Sequence, residues 1–99
     1  VGDDSPAALA RLLCGRDNPA REAALPRYLQ YRGIAFTRHR FTRPQGRGDN
    51  YAVELGEGPR VLVLCAHHDA IPGSPGANDN AAAVGILLHL IPRLPSRIA

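Results

Sequence analysis

The sequence has no methionine, no tryptophan and no lysine, and among its 99 residues only two cysteines, two phenylalanines and three tyrosines. Each absence narrows what the chain can be. Without lysine, all 12 basic residues are arginine. Beside abundant alanine, glycine and proline, that bias is most simply the mark of GC-rich coding. Arg38, Arg40, Arg43 and Arg47 do gather in "TRHRFTRPQGRG". With only Phe36 and Phe41 as neighbouring aromatics the segment lacks stacking platforms and matches no binding motif, so no nucleic-acid partner is expected. Cys14 and Cys65 lie far apart and outside any CxxC pair, which excludes a paired-cysteine metal site. Cys65 closes an apolar run and reads as a small buried hydrophobe. No apolar run approaches the ~20 residues that span a bilayer, so no membrane-spanning helix is expected. "VGDDSP" has none of the pattern of a secretory leader, and the sequence assigns no compartment. With no methionine at position 1, the chain is expected to be a processed product or a piece of a longer reading frame. Finally, no Asp or Glu follows Asp79.

What is present suffices for a core. A hydrophobic share of 44% with a formal charge of +3 excludes general disorder and fits one modest domain, residues 1–99. "SPAALARLLCG" predicts a short helix, with Ser5 as N-cap, Pro6 at the first helical position and Gly15 past the end. "NPAREAALPRYLQYRG" repeats that grammar with Asn18, Pro19 and Gly33, so helices are expected within about 6–32. Leu25, Tyr28 and Leu29 recur at helical spacing, and Pro26 should kink or divide the second helix. Strands are expected at about 35–42, 49–55 and 60–66. The last, "RVLVLCA", lacks polar alternation and suits a central strand covered on both faces. A loop over 67–79 follows, then a helix over about 80–91 that Pro92 stops. Asn78 or Asp79 is expected to cap it, and its apolar composition nearly all round predicts burial. The order of elements belongs to the α/β class, in which functional groups gather at the carboxyl ends of strands.

Chemistry concentrates at one such end, in "CAHHDAIPGSPGANDN". On an extended backbone His67 and Asp69 point the same way and His68 the opposite way. A metal-ligating imidazole usually gives its other ring N–H to a carboxylate, a part Asp69 is placed to play. Asp79 lies past a Gly/Pro loop that can fold back over the strand end, where a helix N-terminus favours an ionised carboxylate. Alone, an HxD reads as a surface cap and an Asp at a helix start as an N-cap. Together, after a fully apolar strand, they fit a metal site. One carboxylate can bridge two metal ions about 3.5–4 Å apart in co-catalytic hydrolases.

"VLVLCAHHDAIPGSPGANDNAAAVGILLHL" resembles the first metal-binding segment of the co-catalytic di-zinc aminopeptidases, the leucyl aminopeptidase-like zinc metallopeptidases of the glutamate carboxypeptidase and glutaminyl cyclase superfamily. Their pattern is an apolar strand, Gly/Ala-His-x-Asp, a loop, then Gly-Ala-Asn/Asp-Asp-Asn opening a helix. "NYAVELGEGPRVLVL" is similar to the hairpin that leads into that strand, and "AALPRYLQYRGIAFTRHRF" to the N-terminal helix and first strand. The likeness covers most of residues 16–92, and Val61–Leu90 carries nearly all of its specificity. It implies the N-terminal portion of a three-layer α/β/α domain with a mixed sheet, expected to be incomplete.

The resemblance also implies roles. His67 would bind one zinc, Asp79 would bridge two, and Asp69 would orient the site. A cis peptide would follow the bridging aspartate, at Asp79–Asn80, and Gly76, Ala77 and the alanines from Ala81 would bring the backbone close. His68 would be a bystander, and His89 structural. The substrate in the complete form would be a peptide with a free amino terminus. Yet the family's general-base glutamate, a neighbouring glutamate ligand, a further acidic ligand and a final histidine all lie downstream of this helix. Here no Asp or Glu follows Asp79, and the only histidine after His68 is His89, within the helix itself, so the general base is absent. The upstream Glu22, Glu54 and Glu57 have no family role that fills the gap. Weak or absent zinc binding and no hydrolysis are expected of the chain alone.

Two other possibilities follow from the residues. One is a non-catalytic, truncated peptidase-like module acting through a partner or through self-association at an unpaired sheet edge. The other is a zinc-dependent sugar deacetylase of the glucosaminyl-phosphatidylinositol de-N-acetylase type, whose "AHPDD" strand end is similar to "LVLCAHHDA". That motif needs a second Asp where Ala70 stands, and "GANDN" has no counterpart in it.

Overall fold

In the computed structural model, which describes residues 5–44 and 46–94, side chains build both helix starts. The Ser5 hydroxyl accepts the Ala8 N–H at 3.2 Å and opens α1, Pro6–Ala10, with Pro6 in its first turn. The Asp17 carboxylate accepts the Ala20 N–H at 2.9 Å and opens α2, Asn18–Tyr31. The cap is therefore one residue earlier than the sequence predicts, which releases the Asn18 side chain for other work. The opening "VGDD" and the final residues 95–99 lie outside the described residues.

Pro26 does not divide α2, which runs through it. Proline has no N–H to give the carbonyl four residues back, here that of Glu22. That carbonyl has another partner, the Tyr51 hydroxyl at 3.0 Å. The vacancy in the helix ladder is thus filled from the hairpin, and Pro26 itself is buried.

The hairpin consists of β1, Thr37–Arg43, and β2, Gly46–Ala52, antiparallel from Thr37 opposite Ala52 to Arg43 opposite Gly46. Asp49 is buried on β2 and pairs with Arg40 at 2.9 Å, with Arg38 at 3.7 Å. The Arg40 hydrogen bond holds the Asp49 carboxyl below the usual carboxylate range against the opposing cost of burial. Arg38 also stands 5.5 Å over the Tyr51 ring, and Arg43 5.5 Å over Phe41.

The third strand expected at 60–66 does not form: β1–β2 is the only sheet among the described residues. A strand exists only through a hydrogen-bonded neighbour, and this segment has none. Its side chains are correspondingly open, with Val61 84%, Leu62 65% and Val63 74% exposed. Cys65 is exposed for the same reason, which corrects the expectation of a buried residue; both cysteines are free thiols.

The chain returns to regular structure at α3, Ala82–Leu90, followed by a single tight turn at Ile91–Arg93. One face of α3 is buried through Val84, Gly85 and Leu88, whereas Ile86 is 48% exposed, so the helix is not covered all round. At Gly85 the helices meet backbone to backbone. A Cβ there would lie 2.5 Å from the Pro6 carbonyl and 2.7 Å from the Ala10 nitrogen. The core is the space between the three helices, filled by Leu9, Leu13, Leu25, Leu29, Ala81, Val84 and Leu88. Helices and one two-stranded antiparallel sheet among the described residues make a small, incomplete α/β fragment. No helix among the described residues is long and apolar enough to cross a membrane.

Candidate metal centre

The segment 67–81 leaves the uncovered apolar stretch, turns at Ile71–Ser74 and enters α3 through an irregular turn. Asp79 and Asn80 have non-helical backbone angles, and the peptide between them is cis, as the resemblance implies. α3 accordingly starts at Ala82 without a side-chain cap. Asp79 is thus not an N-cap, and neither is Asn78; the Asp79 carboxylate is left to face the start of the loop.

There it meets His67. His67 Nε2 lies 3.0 Å from Asp79 Oδ1, and His67 Nδ1 lies 3.1 Å from Asp69 Oδ1. A single imidazole is thus held between two carboxylates, all three groups more than half exposed. A neutral ring carries one N–H. Donated from Nδ1 to Asp69, it leaves the Nε2 lone pair facing a carboxylate oxygen. Two lone pairs opposed at that distance repel, and a second proton or a cation between them removes the repulsion. Two donors of one tetrahedral zinc, each at about 2.0–2.1 Å, lie roughly 3.3 Å apart. The His67–Asp79 pair therefore fits one edge of such a site, with Asp69 fixing the ring. It does not fill one: no group of three or more His, Cys, Asp or Glu side chains among the described residues could hold a metal ion.

His68 points away from this pair and has a partner of its own. Its Nε2 lies 2.9 Å from Glu22 Oε1 on α2, and its ring centroid is 5.7 Å from that of Tyr51. Glu22 Oε2 lies 3.0 Å from the Tyr51 hydroxyl, and Oε1 accepts the Asp49 N–H at 3.4 Å. Glu22 thus joins helix, hairpin and loop. Sequence reasoning missed it, because one charged residue on an amphipathic helix is indistinguishable from its solvated neighbours. Asn18 and Arg21 were missed too. The Asn18 amide makes a closed pair with the Ala70 backbone, accepting its N–H at 2.8 Å and donating to its carbonyl at 3.1 Å. Arg21 is fully buried, and its guanidinium donates to the carbonyls of His68 and Pro75, each at 3.0 Å. The signal for Arg21 was present: it stands four residues before Leu25, on the stripe that α2 turns inward.

Burial, then the hydrogen bond to Glu22 and the Glu22 charge, push the Tyr51 phenol up to about 12. An unfolded tyrosine ionises near pH 10. Between those values the folded state retains a proton that the unfolded state has lost. Stability from this group is therefore fully present below about pH 10 and is lost as pH rises through about 12. In an ultraviolet difference titration, with Tyr51→Phe identifying the signal, Glu22→Gln is expected to lower the Tyr51 midpoint. An unmoved midpoint would show that Glu22 does not hold the phenol.

Residues 50–98 match the family model of Peptidase family M28. Aminopeptidase YwaD of Bacillus subtilis (strain 168) is 41% identical over 32 residues, which are 32% of this chain and 7% of that protein. The matched segment is thus a small part of the relative's length. No solved structure matches the chain significantly.

Proposed function

We propose that this chain, whose residues 50–98 match Peptidase family M28, carries the first half of a zinc centre for aminopeptidase-type peptide hydrolysis. The observation that carries this reading is the His67 imidazole between Asp69 and Asp79, with Nε2 and a carboxylate oxygen 3.0 Å apart. His67 and Asp79 would hold zinc, Asp79 through a carboxylate able to bridge a second ion. Asp69 would hold the Nδ1 proton and so keep the Nε2 lone pair available. Zinc, when bound, supplies Lewis acidity toward the peptide carbonyl and acidifies water. The resemblance puts the base that would take the proton from that water after Asp79, and no Asp or Glu follows Asp79 in these 99 residues. The chain by itself therefore binds zinc weakly and does not turn over substrate.

Zinc titration of the full chain, read by competition with a chromogenic chelator, tests this. Weak binding is expected, lost in His67→Ala and in Asp79→Asn, with no cleavage of aminoacyl anilides. Binding that survives both substitutions would overturn the assignment, and hydrolysis abolished by Asp79→Ala would overturn the inactivity. A second reading, a non-catalytic module that associates through its apolar segment, is favoured by the exposure of Val61, Leu62 and Val63. It gains if sedimentation shows a zinc-independent dimer and the titration shows no binding.

A further inference from the structure

We infer that the polar turn of α2, through Arg21 and Asn18, positions the metal loop, with Arg21 as the residue that ties its two ends together. The inference rests on the zinc reading above for its ligands, but on separate contacts for its content. Arg21 has no exposed surface, yet each hydrogen bond of its guanidinium goes to a backbone carbonyl. Nε donates to Arg16 at 2.9 Å, Nη1 to His68 at 3.0 Å, and Nη2 to Pro75 at 3.0 Å, with Gly76 at 3.5 Å.

These acceptors are not random. His68 lies between His67 and Asp69, at the loop's entrance. Pro75 and Gly76 lie just before Asp79, at its exit. One planar fork therefore spans the loop neck and sets how far the His67 backbone stands from the Asp79 backbone. Asn18 grips the same loop at Ala70, and Glu22 grips the His68 ring. Residues 18, 21 and 22 are spaced i, i+3, i+4 and share one helix face. The same stripe continues into Leu25 and Leu29 in the core, so the grip is continuous with the buried packing.

Packing alone does not explain an arginine here. Burying a guanidinium without a carboxylate beside it costs more than burying an apolar side chain. What arginine offers is five N–H donors in a fixed plane, able to reach three chain segments at once. Lysine keeps the charge and the stem but presents one point, which cannot bridge both loop ends.

Arg21→Lys in the full chain tests the inference, with Arg27→Lys, the same substitution at an exposed position of α2, as the control. Two quantities are read: zinc affinity, and the backbone amide resonances of residues 67–80 without metal. Arg21→Lys is expected to bind zinc about 10–100-fold more weakly, the usual range for groups that orient ligands, and to move the loop resonances. Arg27→Lys is expected to leave both unchanged. If the parent chain binds zinc and Arg21→Lys binds it equally well, the inference is overturned. If the parent chain binds no zinc, the zinc reading fails on its own, and the loop resonances decide: moved by Arg21→Lys alone they support the positioning role, unmoved they overturn it. Should Arg21→Lys not fold, Asn18→Ala, which frees the loop at Ala70 only, is read by the same two outcomes.

Discussion

Leu13→Ala is expected to cost about 2–5 kcal/mol, the range for truncating a fully buried leucine. Leu13 has no exposed surface and belongs to a core of seven buried side chains among the described residues. So small a core has little apolar contact to replace what is lost, and single domains have only about 5–15 kcal/mol of stability in all. In a domain of this size each kcal/mol moves the thermal midpoint by about 4–8 °C. A drop of roughly 10 °C or more follows, read by circular dichroism. Leu55→Ala, at a position 46% exposed, should stay within about 0.5 kcal/mol of the parent chain. Equal shifts for the two variants would mean that the three-helix interface is not the core. The consequence reaches the metal loop, because the turn after Leu13 ends in Gly15, whose N–H donates to the Pro75 carbonyl at 2.7 Å. Loosening Leu13 therefore loosens one anchor of the segment that carries Asp79.

What the sequence made legible was local. Ser5 and Pro6 announced α1 because cap and first turn are fixed within four residues. The His67–Asp69 pairing was legible because alternation along an extended backbone needs only two residues. The first two strands were legible in kind, though they span 37–43 and 46–52 rather than 35–42 and 49–55, and the hairpin implied within "NYAVELGEGPRVLVL" does not form. The tight turn between β1 and β2 comes at Pro44, and the register then runs outward from there.

The long-range contacts were not legible. Arg21 reaches His68 and Pro75 across 47 and 54 residues, and no spacing rule encodes such a pair. Pro26 misled because the rule for proline counts a lost helix bond and cannot know that Tyr51 will take the freed carbonyl. Asp79 misled in the opposite way. A carboxylate before an alanine-rich run satisfies every sequence criterion for an N-cap, and only the non-helical backbone at Asp79 and Asn80 turns it toward His67. The apolar run Val61–Leu64 misled as well, because cover and pairing depend on a neighbour that the described residues do not supply.

Gly76→Ala is the substitution for which backbone and site cannot be separated. Gly76 is buried with φ +60, a left-handed conformation that costs a residue with a Cβ about 1–2 kcal/mol. An added Cβ would collide with the Arg21 guanidinium and sit 2.9 Å from the Ala70 Cβ. Arg21 cannot yield freely, because its other nitrogens are committed to Arg16 and His68. Displacing it breaks hydrogen bonds of a fully buried guanidinium, and a buried donor left unsatisfied costs about 1–3 kcal/mol. A loss of roughly 3 kcal/mol is expected in urea unfolding, together with weakened zinc binding. Gly73→Ala separates the two contributions. Its φ is +88, but nothing lies within 4 Å of the added carbon, so it bears the conformational cost alone, about 1–2 kcal/mol, and should leave zinc affinity intact. If the two variants lose the same stability and bind zinc alike, then the close approach of Gly76 to Arg21 does not shape the loop. If only Gly76→Ala loses affinity, the distance between His67 and Asp79 is set from beneath, by a helix that carries no metal ligand of its own.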